Sequence, residues 1–188
     1  MIGKIIEIKD QYVIVQLLID IASQANLINL HVVFEDDKNK IIGEIKELSE
    51  KQARIAIVGE LVNDTFLPGT SRKPSFGSIV RMIKMEELTK ILGEQQISNK
   101  NQVYFGRSLI YKNYRINVDT NKFFSNHFSI IGGTGSGKSY TVARLIQNIF
   151  GGSSFAPINS NIFMFDAYGE YTQALENISS YNPLLRYH

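Results

Sequence analysis

The run GGTGSGKS at residues 132–139 constrains the fold of this 188-residue chain more than any other feature. It fits the phosphate-binding pattern G-x-x-x-x-G-K-[ST] at every fixed position. That pattern needs a strand before it and a helix after it. The apolar run HFSII at 127–131 predicts a buried strand, and apolar residues at helical spacing through 140–150 predict the helix. The chain is therefore expected to contain an α/β unit built around this loop.

The residue types of the loop suit a nucleoside triphosphate and its metal ion. Glycines let the backbone wrap the phosphates with its N–H groups inward, and the following helix adds the positive end of its dipole. Lys138 is expected to act catalytically at the β- and γ-phosphates, and the Ser139 hydroxyl to ligate Mg²⁺, so ATP and Mg²⁺ are the expected cofactors. The residues expected to contact the nucleotide are Gly132, Gly133, Thr134, Gly135, Ser136, Gly137, Lys138, Ser139 and Tyr140.

A second polar segment follows the apolar run IFMF at 162–165, which predicts another buried strand. Asp166 and Glu170 come directly after this run. Asp166 can hold Mg²⁺ through water, and Glu170 can act catalytically by orienting or deprotonating the attacking water. The competing interpretation is that Asp166 caps a following helix whose first turn contains Glu170.

The first ninety residues have the pattern of a small β-barrel. Six short segments rich in Ile and Val, separated by turn signals, predict strands at 2–8, 12–18, 30–34, 41–48, 53–61 and 78–83. Residues 67–74 predict a loop, 85–92 a short amphipathic helix or turn, 93–102 a linker, and 104–109 with 114–118 a strand pair. The expected fold class is therefore mixed, with a β-barrel domain at 1–95 followed by an α/β domain at 101–188.

Composition narrows the function classes. The chain has no cysteine, and its three histidines form no metal-ligand pattern. Residues 145–165 carry no charge, but their Gly, Pro and Asn residues exclude a continuous apolar helix, so a cytoplasmic protein without a membrane span is expected. The formal net charge is only +2, which does not indicate DNA binding by surface charge alone. Arg72, Lys73, Lys112 and Arg115 are candidate DNA contacts by charge only.

The segment 126–139 (NHFSIIGGTGSGKS), together with DAYGEY at 166–171, resembles the HerA branch of the HerA–FtsK ATPases. The β-rich first part is similar to the small barrel of that family. The resemblance implies a RecA-like P-loop domain in a hexameric ring that hydrolyses ATP and translocates double-stranded DNA. It also implies a nuclease or other effector partner, in DNA-end processing or antiviral defence. On this match, 132–139 form the nucleotide and Mg²⁺ site, and Asp166 and Glu170 lie near the γ-phosphate.

The chain departs from this family in its length. Such ATPases continue to a later strand with Walker B acids, a polar sensor and an arginine finger from a neighbouring subunit. We therefore expect the N-terminal part of a longer protein, with a truncated ATPase domain that alone hydrolyses little ATP. Two alternatives stay open: a non-catalytic module for ring assembly and partner docking, and a P-loop motor that acts on a substrate other than DNA.

Overall fold

The computed structural model describes residues 1–19, 26–37, 39–97, 101–150, 162–176 and 178. The chain divides into two compact units. One contains Met1–Gly93 and Leu109–Lys112, and the other contains Glu94–Ser108 and Asn113–His188. Among the described residues, none of the helices has the length and apolar character needed to span a membrane.

The first unit is a closed β-barrel in which six strands form the ring. Its strands are β1 (Gly3–Ile8), β2 (Tyr12–Leu17), β3 (His31–Glu35), β4 (Lys40–Leu48), β5 (Gln52–Val62), β6 (Thr65–Pro68) and β7 (Ile79–Met82). The order around the ring is β2-β1-β7-β3-β4-β5, and antiparallel pairing of β2 with β5 closes it. The predicted small barrel is confirmed.

Alternating side chains fill the barrel. In β2, Val13, Val15 and Leu17 are buried while the residues between them face outward, which is the period of a strand with one apolar face. Gly43 in β4 leaves room for this core, because a Cβ there would lie 2.4 Å from Ile55 Cγ2 and 2.9 Å from Phe34 Cε2. Larger residues at position 43 would therefore collide with the packed interior.

Strand β6 replaces part of the loop predicted at 67–74. It forms a hairpin with β5, with Val62 paired to Thr65. Asn63 and Asp64 make the turn, with φ of 49° and 61°, and positive φ at both central residues is the requirement of the tight two-residue hairpin turn. The loop prediction was wrong at its first two positions because a proline can end an edge strand without breaking it.

The segment Met85–Leu92, predicted as a short helix or turn, is a helix, α1, in which Leu88 is buried. Arg81 of β7 joins this helix to the barrel, because its guanidinium donates to both carboxylate oxygens of Glu87, at 2.8 and 2.7 Å. The Nε of Arg81 donates to Glu35 of β3 at 2.6 Å, and Lys40 lies within 3.5 Å of Glu35 and 3.4 Å of Glu87. Two acids and two bases thus fasten α1 to three strands.

The second unit pairs a hairpin with helices. Its elements are β8 (Gln102–Arg107), β9 (Arg115–Asp119), α2 (Thr120–Phe124), α3 (Lys138–Phe150) and α4 (Thr172–Leu175). The helix predicted at 140–150 is therefore confirmed and begins two residues earlier. Its apolar face packs Leu145 and Ile149 against Val103 of β8 and Leu175 of α4. The side-chain amide of Asn148 also donates to the Tyr104 carbonyl, at 2.9 Å.

Two predicted buried strands are absent from the described part of this unit. Residues 127–131 and 162–165 have no strand conformation. Ile131, Phe163 and Phe165 are 90%, 85% and 97% exposed. A buried strand of a parallel sheet needs hydrogen-bonded neighbours and apolar cover on both faces, and no described strand pairs with either run. The predictions were wrong here because an apolar run specifies a tendency to be buried, while its neighbours decide whether a sheet forms.

Candidate functional site

The backbone of the loop at 132–139 needs glycine at particular positions. Gly135 and Gly137 have φ of 78° and 89°, which side chains other than glycine rarely tolerate. A Cβ at Gly132 would lie 2.4 Å from Ser136 Oγ. The N–H of Ser136 donates to the Gly133 carbonyl at 3.2 Å and closes the loop. The sequence therefore forms a turn whose backbone can approach a ligand closely.

Lys138 is the first residue of α3, and its side chain folds back over the loop. Its Nζ donates to the Gly133 carbonyl oxygen at 2.9 Å. Behind it, the N–H and the hydroxyl of Thr141 both donate to the Gly137 carbonyl, each at 2.9 Å. The first N–H groups of a helix have no partner within the helix, so the start of α3 offers free donors and a positive dipole end beside the loop. An ammonium group and free N–H donors suit a polyphosphate.

Ser139, Glu170 and Asp166 are joined by hydrogen bonds. The Ser139 hydroxyl donates to Glu170 Oε2. The N–H of Glu170 donates to Asp166 Oδ1 at 3.2 Å, and the N–H of Tyr171 donates to Asp166 Oδ2 at 2.9 Å. Gly169, with φ of 69°, permits the turn between them. The structure therefore brings the two predicted acidic residues to the residue predicted to ligate the metal ion.

The chain is similar in sequence to proteins of known family. Residues 103–187 match the family described as "Helicase HerA, central domain". The DNA double-strand break repair helicase HerA of Saccharolobus solfataricus is 29% identical over 161 residues, which are 81% of this chain and 29% of the relative. The probable DNA double-strand break repair helicase HerA of Methanocaldococcus jannaschii is 32% identical over 136 residues, which are 72% and 22%. This chain belongs to the HerA-like ATPases.

A further relative matches a similar share of the chain. The DNA double-strand break repair helicase HerA of Pyrococcus furiosus is 27% identical to the HerA-like chain over 156 residues, which are 82% of the chain and 25% of that helicase. The HerA-like chain thus spans less than a third of the length of these curated relatives. The similarity nevertheless reaches across both units, since each match covers well over half of the chain.

Backbone hydrogen bonds favour the ionised form of Asp166 in the HerA-like chain. The hydrogen bond from the Tyr171 N–H holds the pKa of the Asp166 carboxyl below its ordinary value, the N–H of Glu170 acts in the same direction, and desolvation opposes them. Asp166 is therefore ionised at neutral pH. The described residues contain no group of three or more His, Cys, Asp or Glu that could hold a metal ion alone. A magnesium ion would depend on Ser139 and on phosphate oxygens, as is usual at nucleotide sites.

The remaining predicted contacts of the HerA-like chain lie at the open surface of the loop. Thr134 and Ser136 are exposed, and Tyr140 is 74% exposed on the first turn of α3. Sequence reasoning missed two contributors, the Gly133 carbonyl that holds the lysine and Gly169 that shapes the acidic turn. The signal for Gly169 was its place between Asp166 and Glu170, where a sharp turn is needed to return the chain toward α3.

Proposed function

We propose that this chain is the N-terminal part of an ATP-hydrolysing translocase or helicase that acts on double-stranded DNA. The observation that carries the proposal is the loop at 132–139, with glycines at positive φ and a lysine at the start of α3. The names of the relatives, which are DNA double-strand break repair helicases, support DNA as the substrate.

The domain division that we propose has a barrel domain at 1–95 and the first part of a RecA-like P-loop ATPase domain at 101–188. Exposed apolar residues at 127–131 and 162–165 support the second assignment, because such runs are stable in water only when a sheet covers them. In the complete ATPase domain, further parts of the protein would cover both runs.

At the site, the loop N–H groups and the start of α3 would hold the β- and γ-phosphates. Lys138 would exchange its hydrogen bond with the Gly133 carbonyl for one with a phosphate oxygen, so the nucleotide replaces a contact that already exists. Bound ATP would supply the γ-phosphoryl group and Mg²⁺ would supply positive charge beside it, while Glu170 would orient the attacking water. Thr134, Ser136 and Tyr140 complete the proposed nucleotide contacts.

The Ser139 hydroxyl is the proposed protein ligand of Mg²⁺. Because it donates its proton to Glu170, its oxygen lone pairs stay free for the metal ion. The sequence predicts that Asp166 contacts Mg²⁺ through water. Both oxygens of Asp166 accept backbone N–H groups, which favours a role in positioning Glu170 instead.

The assembly that we propose is a cytoplasmic hexameric ring that works with a nuclease or another effector protein, in DNA-end processing or antiviral defence. The family resemblance supports it, and a ring is compatible with the small net charge of +2. A single copy with so little positive charge is a weak DNA-binding surface, whereas a ring repeats each basic residue around one pore. A ring would also let a neighbouring subunit supply an arginine to the γ-phosphate.

The test is ATP hydrolysis by the full-length protein with and without long duplex DNA. We expect DNA to stimulate the wild type, and Lys138→Ala to abolish hydrolysis in both conditions. Lys122→Ala, which removes an exposed lysine from α2 of the same unit, is the matched control and should hydrolyse ATP normally. A rate of ATP hydrolysis that does not change on adding DNA would favour a motor acting on another substrate. Normal hydrolysis by Lys138→Ala would contradict the assigned site.

A further inference from the structure

Both oxygens of the Asp166 carboxylate accept hydrogen bonds from the chain that follows it. Oδ1 accepts the N–H of Glu170 and Oδ2 accepts the N–H of Tyr171. These contacts close a turn across Gly169, whose φ of 69° is accessible to glycine at little cost. The turn is therefore shaped by one side chain, and α4 begins immediately after it, at Thr172.

Glu170, at the end of this turn, contacts Ser139 of α3. Glu170 takes its backbone position from Asp166, and its own carboxylate accepts the hydroxyl proton of Ser139 in the first turn of α3. A ligand residue that donates its proton to a carboxylate has a fixed orientation, with its lone pairs facing away from that carboxylate. The geometry of Ser139 therefore depends on where the turn places Glu170.

We propose that Asp166 is a positioning residue and not a ligand of the metal ion. It holds the turn at 166–171 so that Glu170 accepts the Ser139 proton and leaves the Ser139 lone pairs for Mg²⁺. This inference rests on the proposed function, since it assigns a role within the same nucleotide site. It replaces the metal contact that the sequence predicted for Asp166 by a structural role.

Two substitutions at one position distinguish the roles. Asparagine keeps an oxygen that accepts backbone N–H groups and ranks with aspartate as a capping residue. As a neutral amide it is a much poorer ligand for Mg²⁺, which prefers carboxylates and phosphates. A positioning role therefore survives Asp166→Asn and is lost in Asp166→Ala, whereas a metal-ligand role is lost in both.

The first readout needs no nucleotide. In amide NMR spectra of the 188-residue chain, Asp166→Ala should move the signals of Glu170, Tyr171 and Ser139, while Asp166→Asn should leave Ser139 near its wild-type position. Asp119→Ala is the matched control, because Asp119 accepts the Lys122 N–H at the start of α2 in the same unit. It should not move Ser139. A Ser139 signal that is unmoved in Asp166→Ala would overturn the proposal.

The second readout is the affinity for ADP with and without Mg²⁺. Asp166→Ala should lose about fivefold of the magnesium-dependent gain, the effect of one lost capping contact, and Asp166→Asn should keep it. Glu170→Ala should lose the same gain, and the double variant Asp166→Ala/Glu170→Ala should be no worse than Glu170→Ala. Equal losses in Asp166→Asn and Asp166→Ala, or additive losses in the double variant, would assign Asp166 to the metal ion. Absence of ADP binding by the wild type would contradict the proposed function, and the NMR readout would still decide the role of Asp166.

Discussion

Replacing Glu87 by Gln should destabilise the barrel at neutral pH far more than at acid pH. The Arg81 guanidinium lowers the pKa of the Glu87 carboxyl from 4.5 to about 2, with help from the Lys84 N–H and against desolvation. The side chains are only 10% and 15% exposed, so water screens the pair weakly. A shift of this size corresponds to about 3 kcal/mol at pH 7. Screening through the more exposed Lys40 and Glu35 reduces our expectation to about 2 kcal/mol.

The sign of the pH dependence follows from the lowered pKa. The stabilisation is fully present above the unfolded-state pKa of 4.5 and is lost as the pH falls toward the folded-state value of about 2. The difference in unfolding free energy between wild type and Glu87→Gln should therefore be constant above pH 5. It should fall to roughly half by pH 3.

The assay is urea unfolding of the 188-residue chain, followed by the amide NMR signals of β3 and β7, which report on the barrel alone. Glu86→Gln is the control, because Glu86 is the exposed neighbour on the first turn of α1. It should change the unfolding free energy by less than about 0.5 kcal/mol at either pH. If Glu87→Gln destabilised the barrel equally at pH 7 and pH 3, the ion-pair reasoning would be refuted.

Two further predictions concern the site and the barrel core. In the full-length protein, Glu170→Gln should keep nucleotide binding and slow ATP turnover, because the amide cannot activate water; wild-type turnover would remove its catalytic role. Gly43→Ala should destabilise the barrel by about 2 kcal/mol in the same urea assay, because its Cβ meets Ile55 Cγ2. Gly77→Ala, where the nearest atom is 3.8 Å away, is the control and should be close to neutral. Equal effects of the two alanines would show that crowding at position 43 is not the cause.

The sequence predicts best the elements whose own residues, or those directly beside them, carry the whole signal. Helix α3 follows from apolar residues on one face and from the glycine loop before it, and β2 follows from alternation. Strand β6 was missed because its signal lies in the turn, where Asn63 and Asp64 take positive φ, while Pro68 suggested a loop. The strand predictions at 127–131 and 162–165 were wrong, because a sheet also needs neighbouring strands, and a local pattern gives no information about them.

At the site, the sequence could name residues but not their contacts. The motif identified Lys138 and Ser139, since spacing alone fixes them relative to the loop. For Asp166 the spacing allowed both a metal contact and a cap, because both need an acid just before a turn. The predicted helix cap is wrong, because α4 is Thr172–Leu175 with Tyr171 at its N-cap, so Glu170 lies before the helix. Asp166 instead accepts the N–H groups of Glu170 and Tyr171 in a turn that depends on the φ of Gly169, which no pattern of residue types reveals.

The ring order of the barrel has a consequence for how the chain folds. Strand β7, at Ile79–Met82, lies between β1 and β3, so the first and the last strands of the ring are neighbours. During synthesis, β1 to β5 can pair as each emerges, but the ring stays open until β7 arrives. Up to that point β1 and β3 each present a free edge, which can pair with another chain. Closure is thus a late, long-range event, and a chain interrupted before Met82 would keep both edges exposed.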